Sequence, residues 1–565
     1  MDEVGRADCR EAIYSNEWFD LMLRMDDEVS SYQTDACLQK LDGDYQMWYV
    51  ARKGLPELNF GTYTYSAVPK CFVPLAQQAL DESGILQIRN QPNLMLTGSG
   101  VLIGIVDTGI DYTNDAFRYE DGSSRIVALW DQSVEQGTPP QGYLYGQEYT
   151  KEMLNEALAQ ENPFALVPEN DPVGHGTALA ALAAGSQRLP QMPAGAAPYA
   201  DLAVVKLKEA KPYLREFYFI ADGVNAYQEN DIMLGVDYLN RLAAARNQPL
   251  VLLIGLGNND GPHSGDTYLA DFLDDIGQRR RRVVVTAAGN EANARHHYYG
   301  KLFEEDEQEV VEINVERDMR GFYAELWSGE PELYEIAVIS PSGERVSRIA
   351  LERQGRRTYT FVLEGTRLIA EYRIVDVRSA NQLIFLRFER PTKGIWKIIV
   401  YPKQYVYGTF HIWLPISEFL EAPVYFLSSS PDITLTVPGT ARIPLTVGGY
   451  NDRSGAIYLN SGRGYTTEGT IKPELCAPAV GLEYRNETYT GTSYAAALTA
   501  GAAAMFQEWA VVRGNMPIAN TVDVKGEFIR AAAQSAGQLY PNREWGYGRL
   551  DLAQVFLNLA GLQTE

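Results

Sequence analysis

Four short apolar runs recur between residues 67 and 304, and polar or amphipathic stretches of helical length separate them. The runs cover residues 101–106, 202–207, 251–256 and 283–288. Each is apolar almost throughout rather than alternating, which is typical of strands that are covered on both faces. This pattern predicts a parallel sheet flanked by helices, the α/β fold class. The same pattern returns from about residue 431 to the C-terminal region.

Between about residues 305 and 430 the pattern changes to short segments in which apolar and polar residues alternate. Turn signals such as Pro341-Ser342-Gly343 separate these segments. The strand-like segments are 323–327, 336–339, 359–363, 383–388, 396–401 and 409–414. Short alternating strands with frequent turns predict an antiparallel β-sandwich inserted into the parallel fold.

The N-terminal part of the chain carries strand-like pieces between polar and acidic segments, at 18–25, 47–51 and 62–66. We expect a small α+β domain there. A length of 565 residues is in keeping with more than one domain. The predicted domains are 1–66, a parallel α/β domain in two parts (67–304 and 431–565), and a sandwich of residues 305–430.

Composition narrows the possible functions. The formal net charge of −24 disfavours binding to nucleic acid, because phosphate contacts need a positive surface. The four consecutive arginines at 279–282 favour the solvated end of a helix, with a functional basic patch as the alternative. The four cysteines show no metal-ligand spacing, so we expect no metal site and no cofactor. We expect reduced thiols, and one disulfide near the N-terminus is the alternative.

The N-terminus is acidic and lacks an apolar core, which is not the pattern of a secretory signal. The most apolar stretch, 495–506, is too short and too rich in small residues to cross a bilayer. We therefore expect a protein that is made and folded in the cytosol and has no membrane span.

Hydrolysis of a peptide bond at neutral pH needs a nucleophile, a base that takes its proton, and a group that orients the base. Asp107 follows an apolar strand, so its carboxylate is expected at the C-terminal edge of the sheet. Taken alone, such an aspartate is more often a helix cap or turn residue. His175 opens a helix of small residues and is flanked by Gly174 and Gly176. A single histidine, too, is more often structural than catalytic.

Ser493 lies at the start of an alanine-rich helix, where free backbone N–H groups surround a potential nucleophile. In isolation, Thr492 and Ser493 are typical of a simple N-cap. Asn290 follows a strand and a glycine, and its amide could donate a hydrogen bond to a developing oxyanion. The order Asp, His, Ser along the chain is one of three orders found in proteases with such a triad.

With these residues in this order, the chain resembles the subtilisin-like serine proteases. The segments VDTGID, GHGTALAALAAG, AAGN and GTSYAAA match the four signature blocks of that family. The resemblance implies an acyl-enzyme mechanism with Asp107, His175 and Ser493 as the triad and an oxyanion hole built on Asn290. The residues that it implies in substrate binding are Gly255, Leu256, Gly257, Ala288 and Gly289. The chain departs from the family after the serine, where Tyr494 replaces the usual methionine.

Three features extend the resemblance to the Csp subtilases, proteases of clostridial spores. These are the missing signal peptide, the short segment before the protease, and the sandwich between Asn290 and Ser493. The group implies that residues 1–66 are a prodomain that assists folding, is cut by the enzyme and stays bound in the active site. It also implies a jelly-roll topology for the sandwich, a location in spores, and activation of the precursor of a cortex-degrading hydrolase during germination.

The stretch 61–68 is short, extended and β-prone, so it could add as a strand beside the substrate groove. We predict from it that self-cleavage falls between Ser66 and Ala67, with Tyr63 at the P4 position. In the alternative interpretation, residues 62–66 are a core strand of the prodomain. A cut between about residues 80 and 95 is the competing prediction.

Two other functions remain open: a general-purpose subtilase of broad role, and a regulatory pseudoprotease that binds partners. A pseudoprotease would need a broken triad, and none of the three residues is missing. Digestion of casein separates a general from a dedicated protease, because a dedicated enzyme degrades casein weakly even after its prodomain is removed.

Overall fold

A computed structural model of the chain describes residues 6–24, 36–74, 83–186, 194–350, 354–484 and 487–561. Its helices are α1 (Arg6–Tyr14), α2 (Ile85–Asn90), α3 (Lys151–Leu158), α4 (His175–Ala184), α5 (Pro212–Phe217), α6 (Glu229–Ala245), α7 (Tyr268–Gln278), α8 (Thr492–Gln507), α9 (Thr521–Arg530) and α10 (Leu552–Leu559). The strands before the insertion are β1 (Trp18–Arg24), β2 (Ala36–Lys40), β3 (Tyr45–Ala51), β4 (Cys71–Pro74), β5 (Leu102–Asp107), β6 (Ile126–Asp131), β7 (Gln147–Thr150), β8 (Asp201–Lys206), β9 (Tyr227–Gln228), β10 (Leu250–Ile254), β11 (Leu256–Gly257) and β12 (Arg282–Ala287). The strands of the insertion are β13 (His297–Lys301), β14 (Glu309–Val315), β15 (Gly321–Ser328), β16 (Leu333–Ile339), β17 (Arg345–Ile349), β18 (Gln354–Phe361), β19 (Thr366–Arg373), β20 (Gln382–Glu389), β21 (Gly394–Gln404), β22 (Thr409–Trp413) and β23 (Val424–Phe426). The last strands are β24 (Leu445–Tyr450), β25 (Leu475–Pro478), β26 (Val480–Tyr484) and β27 (Glu487–Thr490).

A mainly parallel sheet forms the centre of the protein, in the order β7-β6-β8-β5-β10-β12-β24-β25. Its neighbouring strands are parallel except for β6 and β7. Alternate residues of β5 enter different hydrophobic clusters: Ile103 and Ile105 join the cluster that holds α4 and α8, whereas Leu102 and Val106 join the cluster that holds α6 and α7. The prediction of a parallel sheet covered by helices on both faces is confirmed.

Helices α4 and α8 pack closely because the residues at their contact are small. A Cβ atom on Gly501 of α8 would lie 2.6 Å from the carbonyl oxygen of Ala183 in α4. Every residue of α8 is buried. The alanine-rich runs that follow His175 and Ser493 therefore bring together the two helices whose first turns carry these residues.

Helix α8 continues into a π-helical turn (Glu508–Val512). The combined helix Thr492–Val512 has the length and apolarity of a membrane span, but 83% of its apolar window is buried inside the protein. Within the described residues it packs as the central helix of the core.

Two antiparallel sheets, called the inserted sheets below (residues 297–426), lie between β12 and β24 in the chain. Their orders are β13-β22-β15-β20-β19-β18 and β17-β16-β21-β14-β23. Side chains of both sheets, including Phe322, Ile336, Phe388 and Trp396, form a hydrophobic cluster of their own. The antiparallel strands predicted from the alternating pattern are therefore present, and the two sheets share one core.

The N-terminal strands form an antiparallel sheet in the order β1-β3-β2. A buried ion pair between Asp20 and Lys211 joins this sheet to the parallel region, and the backbone N–H of Asp20 donates to the hydroxyl of Tyr213 (2.9 Å). Cys37 is disulfide-bonded, so the expectation of reduced thiols is wrong for this residue. Cys71 and Cys476 are free and buried.

Residues 62–66 do not form the predicted strand. Tyr65–Ala67 form a short 3-10 helix, and a turn precedes it. The reason is local hydrogen bonding: the side chain of Asn59 accepts from the Thr62 N–H (2.8 Å), and its carbonyl oxygen accepts from the Tyr63 N–H (3.1 Å). These bonds satisfy the N–H groups of Thr62 and Tyr63 locally, so the two groups are not available for pairing with another strand.

Candidate active site

Asp107 ends the central strand β5, and its side chain has no exposed surface. Its Oδ1 atom accepts a hydrogen bond from the Thr108 N–H (2.8 Å) and lies 2.7 Å from Nδ1 of His175. Gly109 then turns the chain away with a φ of +126°. The carboxylate therefore lies at the C-terminal edge of the sheet, as the sequence predicted.

His175 is the first residue of α4, and Gly174 before it has a left-handed backbone (φ 82°). A Cβ atom on Gly176 would lie only 2.2 Å from the carbonyl oxygen of Gly109. Only glycine at position 176 therefore allows the start of α4 to contact the turn that follows Asp107. This close approach brings the imidazole within hydrogen-bond distance of the carboxylate.

Ser493 is the second residue of α8, and its Oγ atom lies 3.2 Å from Nε2 of His175. Asp107 and Ser493 have no exposed surface, and His175 is 5% exposed. A nucleophile, a base and a carboxylate thus form one hydrogen-bonded row. This is the geometry that acyl transfer from a peptide to a serine requires.

Asn290 lies beyond the end of the neighbouring strand β12, next to the start of α8. Its side-chain oxygen accepts hydrogen bonds from the N–H (3.1 Å) and the hydroxyl (3.3 Å) of Thr492. The Thr492 hydroxyl in turn accepts from the N–H of Gly289 (3.0 Å). Because Thr492 binds the oxygen of the amide, the Nδ2 group, its donor, faces away from Thr492 and can serve an oxyanion beside Ser493.

The five residues predicted to bind substrate flank this centre. Gly255 precedes β11, and a Cβ atom there would lie 3.2 Å from the Cβ of Ser493. Leu256 and Gly257 form β11 itself. Ala288 and Gly289 connect β12 to Asn290, and a Cβ on Gly289 would clash with Thr436.

A segment of the chain itself pairs with two of the residues that were predicted to bind substrate, Leu256 and Gly257. Strand β4 is the middle strand of a small sheet, antiparallel to β11 on one side and to β9 on the other. Pro74 pairs with Leu256 and Val73 with Gly257. Phe72 has no exposed surface. An extended segment that adds to strand edges in this way is how many proteins bind peptides.

The predicted cleavage residues Ser66 and Ala67 lie elsewhere. They belong to the short 3-10 helix and are 6% and 1% exposed. The hydroxyl of Tyr65 donates to both carboxylate oxygens of Glu325 in the inserted sheets (2.8 and 2.7 Å). Because the Ser66–Ala67 bond lies in a buried helical turn, it is not extended as a bound peptide would be. The segment that pairs with β11 is β4.

Tyr494 and Asp171 also lie near the catalytic centre, and neither of them was assigned a role in catalysis from the sequence. The ring of Tyr494 lies edge-on to the imidazole of His175, with ring centres 5.5 Å apart, and burial raises its pKa well above the ordinary value. Asp171 contacts both loops that carry the aspartate and the histidine. Its position four residues before His175, at a helix start without a capping side chain, is the signal that could have revealed it.

Burial also affects an acid beneath the Asp107 turn. Glu169 accepts a hydrogen bond from the Ile110 N–H (3.1 Å) and pairs with Lys206. Burial raises its pKa to about 7, and the ammonium of Lys206 opposes that rise. Among the described residues, no group of three or more His, Cys, Asp or Glu side chains is arranged to hold a metal ion.

We next compared the chain with known protein families and solved structures. The model of the Subtilase family matches residues 98–314 and 428–548, which leaves out most of the inserted sheets. The chain is similar to the CspB protease of Clostridium perfringens, with 30% identity, a TM-score of 0.75, and coverage of 86% of this chain and 97% of that one. Fervidolysin from Fervidobacterium pennivorans, a keratinolytic enzyme related to subtilisin, is 12% identical, with a TM-score of 0.47 and coverage of 98% of this chain and 61% of its own. No curated protein sequence matches the chain significantly.

The two matched segments make up more than half of the chain. They contain the aspartate, histidine, asparagine and serine that the fold brings together. The chain belongs to the subtilase family and is a serine endopeptidase.

Proposed function

We propose that this endopeptidase cuts its own chain once, retains the released N-terminal segment in its active site, and activates the precursor of a spore cortex hydrolase during germination. The observation that carries the first two steps is strand β4 in the substrate groove. The third step extends the likeness to the CspB protease and the resemblance to the Csp subtilases.

In the proposed mechanism, Nε2 of His175 takes the proton of Ser493 as Oγ attacks the carbonyl carbon of the scissile bond. Asp107 holds the imidazole with its proton on Nδ1 and stabilises the imidazolium that forms. The Nδ2 group of Asn290 and the N–H of Ser493 donate hydrogen bonds to the oxyanion. The imidazolium then protonates the leaving amine, and a water activated by His175 hydrolyses the acyl-enzyme.

The strand register supports a proposal for the bond that is cut. Val73 pairs with Gly257 and Pro74 with Leu256. A continuation of this antiparallel register by one residue would set Leu75 opposite Gly255. Gly255 is the position that lies against Ser493 and His175. We therefore assign the scissile bond to Leu75–Ala76, with Phe72 at P4. Residues 75 and 76 are outside the described part of the chain, and the assignment rests on the register alone.

This assignment replaces the predicted cut between Ser66 and Ala67. It also lies before the competing range of 80–95. Ser66 is held in a buried helical turn, whereas proteases act on extended backbone that pairs with the edges of their cleft.

Retention of the N-terminal segment is supported by its contacts with the inserted sheets. The ring of Phe60 packs edge-on against Phe385 (4.6 Å between centres), and that of Tyr65 against Trp327 (5.0 Å). The N–H of Phe60 donates to the carboxylate of Glu371. These contacts lie before β4 in sequence, so hydrolysis after β4 breaks none of them.

A dedicated substrate is favoured over broad proteolysis by the same arrangement. The non-primed side of the groove is filled by β4, and the side chain of Phe72 is fully buried there. Another protein can enter only when β4 leaves or when its own segment competes with it. A protease in this state acts on few partners, as expected for the activation of one precursor.

The first experiment compares the intact mass of the purified wild-type chain with that of Ser493→Ala. We expect two fragments from the wild type, with a new N-terminus at Ala76, and one uncut chain from the variant. Both fragments should elute together on gel filtration. A new N-terminus at Ala67 would instead support the cut between Ser66 and Ala67 that was predicted from the sequence. An uncut wild-type chain would contradict self-cleavage.

A second experiment tests the choice of substrate. The processed protein is incubated with casein and, separately, with the purified precursor of a spore cortex hydrolase; Ser493→Ala serves as the control. We expect limited cleavage of the precursor and little degradation of casein. Rapid digestion of casein with an intact precursor would contradict the germination role and favour a general protease.

A further inference from the structure

We infer that Asp171 is a positioning residue for the proteolytic reaction: its carboxylate ties the helix start that carries His175 to the turn that carries Asp107. The carboxylate of Asp171 accepts hydrogen bonds from Thr108, Gly174 and Thr177, which lie close to Asp107 and His175 in the chain. The inference concerns the geometry that the triad needs, and so it goes beyond the proposed self-cleavage and does not depend on it.

Both carboxylate oxygens of Asp171 are fully used. Oδ1 accepts from the hydroxyl of Thr108 (2.7 Å) and from the N–H of Gly174 (3.0 Å). Oδ2 accepts from the N–H (2.8 Å) and the hydroxyl (2.6 Å) of Thr177. Asp171 is 5% exposed, so these four bonds form away from solvent. A buried carboxylate with four donors is strongly fixed in place.

The contact between Asp171 and the Thr177 N–H replaces a missing helix cap. The residue before α4 is Gly174, which has no side chain to accept from the free N–H groups of the first turn. Asp171 accepts from the N–H of Thr177, the third residue of the helix, as an N-cap side chain normally does. Its negative charge also complements the N-terminal end of the helix dipole. Asp171 therefore fixes the helix start at which His175 sits.

The contact with Thr108 extends this hold to the other loop. The Thr108 hydroxyl donates to Asp171 and accepts from the N–H of Gly176 (2.9 Å). The N–H of Thr108 donates to the carboxylate of Asp107. Because Gly176 follows His175 directly, these hydrogen bonds link Asp171 through Thr108 both to the helix start at His175 and to the carboxylate of Asp107.

Replacement of Asp171 by asparagine tests this role, since it keeps the shape and changes the hydrogen bonding. Each carboxylate oxygen accepts from one backbone N–H, and the amide Nδ2 of asparagine is a donor, so at least one of these two N–H groups loses its acceptor. A small displacement of the imidazole is costly, because acyl transfer depends on close alignment. We expect self-cleavage during refolding and labelling of Ser493 by a fluorophosphonate to slow by about tenfold to a hundredfold.

A spectroscopic readout separates positioning from general stability. The proton on Nδ1 of His175, shared with Asp107, gives a far-downfield proton resonance when that bond is short and shielded from water. We expect this resonance in the wild type, its loss in His175→Ala, and its shift or loss in Asp171→Asn. The control is Asp551→Asn, the same substitution at the N-cap of α10, where the amide oxygen can still accept from the Gln554 N–H (2.9 Å from Asp551). It should leave the resonance and both rates unchanged.

A second pair of variants tests the route through Thr108, in case Asp171→Asn does not fold. Thr108→Val removes the hydroxyl and should shift the resonance as Asp171→Asn does. Thr108→Ser restores the hydroxyl and should restore the resonance. An unchanged resonance in both Asp171→Asn and Thr108→Val would overturn the inference. A wild type that shows the resonance but does not cut itself would contradict only the proposed self-cleavage.

Discussion

Gly255 lies close beside Ser493: a Cβ atom added to residue 255 would lie 3.2 Å from the Cβ of Ser493. It would also lie 3.3 Å from Cε1 of His175 and 2.7 Å from Cδ1 of Leu179. The backbone that leads into β11 is thus a wall of the catalytic centre. The space that a side chain would occupy is already taken by the catalytic residues.

Gly255→Ala should therefore reduce catalysis. The added methyl group must displace Leu179 or the imidazole by a few tenths of an ångström, and we expect hydrolysis of a peptide substrate to slow by about tenfold or more. The matched control is Gly329→Ala, because a Cβ atom there meets no atom within 4 Å. Equal rates for the two variants would contradict this prediction, because they would show that the surroundings of Gly255 accommodate a methyl group without loss of activity.

Asn290→Ala should lower kcat with little effect on KM, because the amide would act on the oxyanion and not on the bound peptide. Loss of an oxyanion donor reduces kcat by roughly 10²–10³, a value known from the corresponding amide of a subtilisin. Thr492→Val keeps the backbone bond to Asn290 and removes the hydroxyl bond. We expect a smaller loss for it, and steady-state kinetics on one peptide would measure both. A larger loss for Thr492→Val would contradict the assignment of Asn290.

Phe72→Ala should release the N-terminal segment after self-cleavage. The side chain of Phe72 is fully buried in the same cluster as Tyr227 and Leu256, and removal of a buried phenylalanine costs about 3–5 kcal/mol. Gel filtration of the processed protein should show the fragments eluting together for the wild type and apart for the variant. Leu38→Ala is the control, since Leu38 is 38% exposed on the same segment. Fragments that remain together in Phe72→Ala would show that the contacts of Phe60 and Tyr65 with the inserted sheets retain the segment without Phe72.

Acid should destabilise the junction between the parallel region and the inserted sheets. His263 stacks on Trp413 at 4.1 Å, and burial lowers its pKa from 6.5 to about 4. The folded state therefore holds this imidazole neutral, and its contribution is present above pH 6.5 and lost as pH falls toward 4. The loss amounts to about 3 kcal/mol at most.

Thermal unfolding of Ser493→Ala between pH 7 and 4, with and without His263→Phe, measures this contribution. Phenylalanine keeps the stacking but takes up no proton, so the fall in Tm with pH should become shallower. The bond from Nε2 to the Asn259 carbonyl oxygen (3.0 Å) is lost at every pH and lowers Tm by a constant amount. An identical pH slope in both proteins would contradict this role for His263.

The three residues of the proposed triad could be located from the sequence because each has a strong local signal. Asp107 ends an apolar strand, His175 opens a helix between two glycines, and Ser493 opens a helix of small residues. The parallel sheet was equally accessible, since its strands are apolar on both faces. Features of this kind can be predicted from residues that are adjacent in sequence, without information on contacts between distant parts of the chain.

The groove-filling strand could not be found in this way. The pairing of Cys71–Pro74 depends on two short edges at Tyr227–Gln228 and Leu256–Gly257, more than 150 residues away along the chain. The stretch 62–66 has the better strand composition, yet hydrogen bonds to Asn59 hold its first part in a turn. Asp171 was missed for a similar reason, because its role lies in contacts between loops.

Strand β4 belongs to the same molecule as the groove that holds it, so its effective concentration there does not change on dilution. The proposed self-cleavage should accordingly be a first-order process, with the same rate constant in a concentrated and in a dilute sample. After the cut, the strand leaves at its own dissociation rate, and a competing protein can enter only afterwards. Digestion of any other substrate should therefore begin after a lag whose length does not depend on the substrate concentration. The dissociation rate of β4 sets the length of that lag.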